Sequence, residues 1–136
     1  MLHSTEGAFA GAVAWLCNPE SGVSSHYVIA RAGHIAELVS PLRKAWHAGI
    51  SYWRGETNIN AISVGIEMEH KDGKDDWPDA QVKACAELCA WLSHTYKLGE
   101  GTIISHASIA RPVGRKIDPQ GFPWPKFSEF FKAAQP

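Results

Sequence analysis

One stretch limits the possible folds of this chain more than any other. Between Asp76 and about Tyr96, the residues Val82, Cys85, Cys89, Leu92 and Tyr96 recur at three- and four-residue steps, the spacing that gathers apolar side chains on one face of a helix. Asp76 is placed to cap this helix, with Pro78 in its first turn and Asp79 near the orphan amides. A striped helix must lay its stripe against another layer, and short β-rich segments supply one. Ser24 to Ile29 alternates as a strand, and Arg31-Ala32-Gly33 turns it into a second strand, His34 to Val39, forming a hairpin. Ile62 to Glu69 is β-branched and carries Glu67 and Glu69 two apart, hence on one face. Thr102 to Ser105 predicts a further short strand, Gly7 to Cys17 a short helix stopped by Asn18-Pro19, Ala107 to Phe122 a long loop, and Trp124 to Ala133 a closing helix. The expected fold class is α/β, a single domain over residues 1–136 with a mixed central sheet flanked by helices.

Composition removes several classes of function. With 13 Lys+Arg against 14 Asp+Glu, there is no basic field for phosphate, so nucleic acid is not expected as a partner. The longest apolar run, Ala8 to Cys17, is too short to span a bilayer and follows Glu6 instead of a basic segment, which predicts neither a membrane span nor a signal peptide. Synthesis in a reducing cytoplasm fits the odd count of 3 cysteines, and Cys17, Cys85 and Cys89 read as buried small apolar residues. The stretch His70 to Asp76 (HKDGKDD) reads as a solvated loop.

Chemistry concentrates among the 7 histidines. His3 lies near the chain start, His106 at the end of the fourth β-segment, and Asp118 in the loop beyond it. Two imidazoles and a carboxylate are a suitable ligand set for a catalytic zinc, which keeps one position open. Strand-end histidines also serve as hydrogen-bonded structural residues, so spacing alone leaves both readings open. Lys116, two residues before Asp118, points the same way in an extended segment, where a cation can hold a developing oxyanion. Glu67 sits in an otherwise apolar strand, as a general base would; Glu69 competes for that role.

Five ordered motifs then carry a resemblance. Leu2-His3-Ser4-Thr5-Glu6-Gly7, Val23 to Ile29 (VSSHYVI), Ala45-Trp46-His47-Ala48-Gly49, Asn60 with Ser63-Val64-Gly65-Ile66-Glu67, and Ser105-His106 leading to Arg115-Lys116-Ile117-Asp118-Pro119 resemble the type 2 N-acetylmuramoyl-L-alanine amidases. The group includes phage endolysins, muropeptide-recycling amidases and peptidoglycan recognition proteins. The resemblance implies a zinc held by His3, His106 and Asp118, with Glu67 and Lys116 as catalytic partners. It places the chain on the aspartate branch, because Asp118 stands where many relatives carry cysteine. A catalytic tyrosine found in other members falls at Ser25 here, leaving Tyr27 to the core. His47 resembles the substrate-facing histidine, and Trp53, with the loop Gly49 to Asn58, is expected to line the cleft. His26, His34, His70 and His94 are expected to be structural or at the surface. Only Met1 and Leu2 precede His3, a shorter lead than the resemblance implies.

The expected activity is that of a zinc-dependent hydrolase, acting as a monomer, that cuts the amide between N-acetylmuramic acid and L-alanine in peptidoglycan or muropeptides. Its site of action would be the cell wall after release, or cytoplasmic muropeptides. The alternative is a recognition module that binds peptidoglycan without cutting it.

Overall fold

The computed structural model describes residues 1–136. Four strands form one sheet: β1 (Leu2–Ser4), β2 (Tyr27–Ile29), β3 (Ile35–Glu37) and β4 (Ile66–Met68), in the order β1-β4-β2-β3. β4 runs parallel to both β1 and β2, whereas β2 and β3 form the antiparallel hairpin, so the sheet is mixed as expected. Helices α1 (Phe9–Leu16), α2 (Asp79–Tyr96), α3 (His106–Ile109) and α4 (Trp124–Ala133) complete the chain. None of them is long and apolar enough to cross a membrane.

Register divides the sheet into two unlike faces. Leu2, Ile66 and Tyr27 lie side by side, and so, one residue on, do His3, Glu67 and Val28. Because side chains alternate along a strand, the first row faces one layer and the second row the other. Leu2, Tyr27, Ile29, Ile66 and Met68 meet the α2 stripe of Val82, Cys85, Cys89 and Leu92, with Phe122 and Phe127 of the α4 region closing the cluster. Each such side chain, taken fully out of water, contributes about 1.5–3 kcal/mol. The opposite face carries His3 and Glu67.

Several segments differ from the sequence reading for identifiable reasons. The strands predicted over 24–29, 34–39 and 62–69 shrink to three residues each. The Gly65 carbonyl accepts from His26 N, Tyr27 N and Ser25 Oγ together, at 3.1, 3.2 and 2.8 Å, which interrupts the ladder on that side, and a 3-10 turn at Ile59–Ala61 occupies the approach to β4. Thr102 to Ser105 makes only a bridge from Ser105 to Leu2 and a bond from Leu2 N to Ile104 O. Ser105 instead caps α3, its hydroxyl accepting from Ser108 N at 3.1 Å. Asp76 does not cap α2, whose N-cap is Pro78; its carboxylate pairs with Arg31. Cys17 is exposed, while Cys85 and Cys89 are buried as expected.

Candidate metal centre

The site is assembled from three separate elements. β1 presents His3, the first residue of α3 presents His106, and the loop beyond α3 presents Asp118. Their ligand atoms lie within 4.8 Å of one another. His3 Nδ1 is 3.1 Å from His106 Nδ1 and 3.5 Å from Asp118 Oδ2, and His106 Nδ1 is 3.2 Å from Asp118 Oδ1. Two backbone bonds hold the carboxylate loop in place, Ala107 N to Asp118 O at 2.9 Å and Ser4 N to Asp118 Oδ2 at 3.3 Å.

This donor set fits a divalent cation. His106 Nε2 donates to the carbonyl of Ala48 at 2.9 Å, and a neutral imidazole has only one N–H, so Nδ1 faces the cluster bare. Burial drives His3 down to about 4 and opposes its protonation. Burial alone would raise Asp118, yet any proton that the two facing imidazoles turn toward it lowers it well below the usual carboxylate range. A half-buried carboxylate facing two buried imidazoles is an N,O site suited to zinc.

Beside the cluster, Glu67 Oε1 stands 3.9 Å from His3 Nδ1. Burial, and then the charge of Asp118, push Glu67 up to about 8, with Lys116 acting against them. Lys116, Glu67 and the three cluster residues line one open cavity of about 580 Å³, together with Trp46 at its rim. Glu69 is committed elsewhere: its carboxylate accepts from Phe9 N at 2.8 Å and Arg31 N at 2.9 Å, joining α1 to the hairpin turn.

His47 lines the same cavity, but both ring nitrogens are engaged within the protein, Nδ1 with His3 Nε2 at 3.0 Å and Nε2 with Ser63 Oγ at 3.1 Å. Burial, followed by the charge of His3, drives it down to about 2. Trp53 is not brought to the site. It lines a separate, largely apolar cavity with Met1, Ile59 and Ile104, and none of residues 49–58 borders the metal cluster's cavity. The turn at Gly49 carries that loop away, with Tyr52 N bonded to Ile109 O at 2.8 Å. Tyr27 is core, His26 and His70 are buried, and His34 and His94 are exposed.

Three contributors were given no role by the sequence. Asp72, within the stretch read as solvated, has a side chain only 5% exposed. It accepts from Ser4 Oγ at 2.8 Å and from Gln120 N at 3.1 Å, tying the segment after Asp118 to the strand of His3. Asn60 Oδ1 accepts from His47 N and Ala48 N at 3.0 and 2.8 Å. Ser63 completes the surroundings of His47.

The family model described as N-acetylmuramoyl-L-alanine amidase (Amidase_2) matches residues 1–121. The chain belongs to this family. Its site cluster lies wholly within the matched span, and its relatives agree. N-acetylmuramoyl-L-alanine amidase AmiD of Escherichia coli is 32% identical over 145 residues, covering 95% of this chain and 51% of that protein. The 1,6-anhydro-N-acetylmuramyl-L-alanine amidase AmpD of Salmonella typhimurium is 37% identical over 106 residues, covering 77% of this chain and 55% of that protein. Among solved structures, E. coli AmiD in complex with the substrate anhydro-N-acetylmuramic acid-L-Ala-D-gamma-Glu-L-Lys superposes with a TM-score of 0.85 at 32% identity, over 95% of this chain and 55% of that one. AmpDh3 of Pseudomonas aeruginosa gives 0.84 at 30% identity, over 95% and 57%. The chain thus spans about half the length of the curated relatives it matches.

Proposed function

We propose that this chain is a zinc-dependent amidase that hydrolyses the amide between the lactyl group of N-acetylmuramic acid and L-alanine in peptidoglycan or its muropeptide fragments. The observation that carries the reading is the convergence of His3, His106 and Asp118 beside an acid, Glu67, and an amine, Lys116, in one cavity, within a chain of the amidase family. The related AmiD was solved with a muropeptide substrate, which supports the substrate class.

His3, His106 and Asp118 would hold the metal. A zinc ion supplies Lewis-acid polarisation of a carbonyl and a lowered pKa for water. Glu67 is the proton carrier. In its ionised form beside the metal ligand His3, its carboxylate would take a proton from the attacking water and then give it to the departing amine. Water oxygen joins the carbonyl carbon, the C–N bond breaks, and the alanine nitrogen leaves protonated. Lys116 places a positive charge in the same cavity, where the carbonyl oxygen becomes negative. Trp46, half exposed at the rim, offers a flat apolar surface to a sugar or stem peptide.

Muropeptide digestion coupled to elemental analysis tests this. The purified chain is expected to carry about one zinc, to lose activity in chelator and to recover it with added zinc. Full activity in protein shown to be metal-free would refute it.

A further inference from the structure

The hydrogen bonds behind His3 can be satisfied in one direction only. The Ile59 carbonyl can only accept, and Ser63 Oγ lies 2.7 Å from it, so the single hydroxyl proton of Ser63 is spent there. Ser63 oxygen must then accept from His47 Nε2, 3.1 Å away, which therefore carries the proton of that neutral ring. His47 Nδ1 is left bare and accepts from His3 Nε2 at 3.0 Å. His3 Nδ1 is consequently bare as well, and it is the atom that faces His106 Nδ1 at 3.1 Å.

We infer that His47 and Ser63 are positioning residues that fix the ring orientation and tautomer of His3, so that its Nδ1 lone pair is offered to the metal. This rests on the metal-centre reading and deepens it. Metal-binding histidines usually back directly onto a carboxylate or carbonyl, as His106 does on Ala48 O. His3 instead reaches a carbonyl through an imidazole and a hydroxyl.

The surroundings of His47 hold it for that task. Asn60 grips the turn through the amides of His47 and Ala48, so one turn orients both imidazoles, His106 through the Ala48 carbonyl and His3 through the His47 ring. The His47 ring lies directly on the backbone of Gly65, where a Cβ would sit 2.5 Å from its Cγ. No residue but glycine leaves room for the ring there. His3 meets His47 edge to face, with ring centroids 5.1 Å apart and planes at 88°.

Removing the Ser63 hydroxyl takes the acceptor from His47 Nε2, and the relay can reverse. His47 Nδ1 then donates to His3 Nε2, and the proton of His3 moves to Nδ1, where it blocks the metal. Zinc affinity, measured by competition with a chromophoric chelator at pH 7, is expected to fall roughly 10–100-fold in Ser63→Ala. The metal-free melting temperature should stay close to that of the unsubstituted chain, and Ser63→Thr should restore affinity. Undiminished affinity in Ser63→Ala overturns the relay. An unsubstituted chain that binds no zinc instead overturns the metal-centre reading beneath it. A second measurement needs no variant: imidazole nitrogen shifts of the metal-free chain should show His3 protonated at Nε2, and protonation at Nδ1 contradicts the inference.

Discussion

The two faces of one short sheet are built on opposite terms. On the α2 side, Leu2, Ile29, Ile66 and Met68 are held by apolar burial, a non-directional force that rewards size and fit. On the other side, His3 and Glu67 stand one residue out of step with them, His3 being held by a directed bond to His47 and facing His106, Asp118 and Glu67. Buried polar groups of this kind cost free energy unless each finds a partner. The lesson is a division of labour within three-residue strands: alternate residues of the same strand supply stability and chemistry. Damage to the two faces should therefore be separable.

The largest expected effect lies on the polar face. Asp118→Ala should lose both zinc and activity while the fold survives, whereas Glu67→Gln should keep zinc and lower turnover roughly 10²–10⁴-fold. Elemental analysis beside muropeptide kinetics distinguishes them, and normal turnover in Glu67→Gln would move the proton-carrying role elsewhere. On the apolar face, Met68→Ala removes a fully buried side chain and should cost about 2–5 kcal/mol of stability. Denaturant unfolding would measure that loss, with zinc stoichiometry unchanged below the transition.

A smaller effect sharpens the comparison, because His3, His47 and Glu67 on the polar face shift their titration strongly around neutrality. In the metal-free chain His3 and His47 fall from an ordinary 6.5 to about 4 and about 2. The unfolded chain therefore binds more protons there, and stability is lost as pH drops below about 6.5. Glu67 rises from 4.5 to about 8. It binds its proton more tightly when folded, so stability is lost as pH climbs through that window. Between 4.5 and 6.5 the two histidines outweigh the one acid. Metal-free unfolding should thus show greatest stability near pH 6.5, declining on both sides. A curve flat from pH 5 to 8 would show that the three groups are not buried as described.

Legibility in the sequence obeys the same division. The α2 stripe was readable because periodicity records which side is apolar, and the strand around Ile66 and Met68 because β-branched residues favour the pleated sheet. His3, His106 and Asp118 were readable as a set only through the ordered motifs, since strand-end histidines are more often hydrogen-bonded structural residues and spacing alone does not separate the two. Asp72 was hidden in an acidic, lysine-bearing stretch, because a carboxylate that is solvated and one that accepts from Ser4 and Gln120 look alike in sequence. Trp53 was misplaced because the side of a loop residue depends on the path of the chain. Here that path turns away at Gly49 and packs Trp53 against Ile59 and Ile104. Ser63 and Asn60 were legible only as parts of a motif, and their roles emerged once His47 was seen to use both nitrogens.

The central claim is that this polar face cuts one particular bond. Hydrolysis of the lactyl amide frees the α-amine of L-alanine and leaves the glycan intact, whereas a glycosidase creates reducing sugars and normally relies on two facing carboxylates. End-group labelling of peptidoglycan or muropeptides digested with the zinc-loaded chain should show new N-terminal alanine and no rise in reducing ends. New reducing sugar, or amino termini of any other stem residue, would contradict the account.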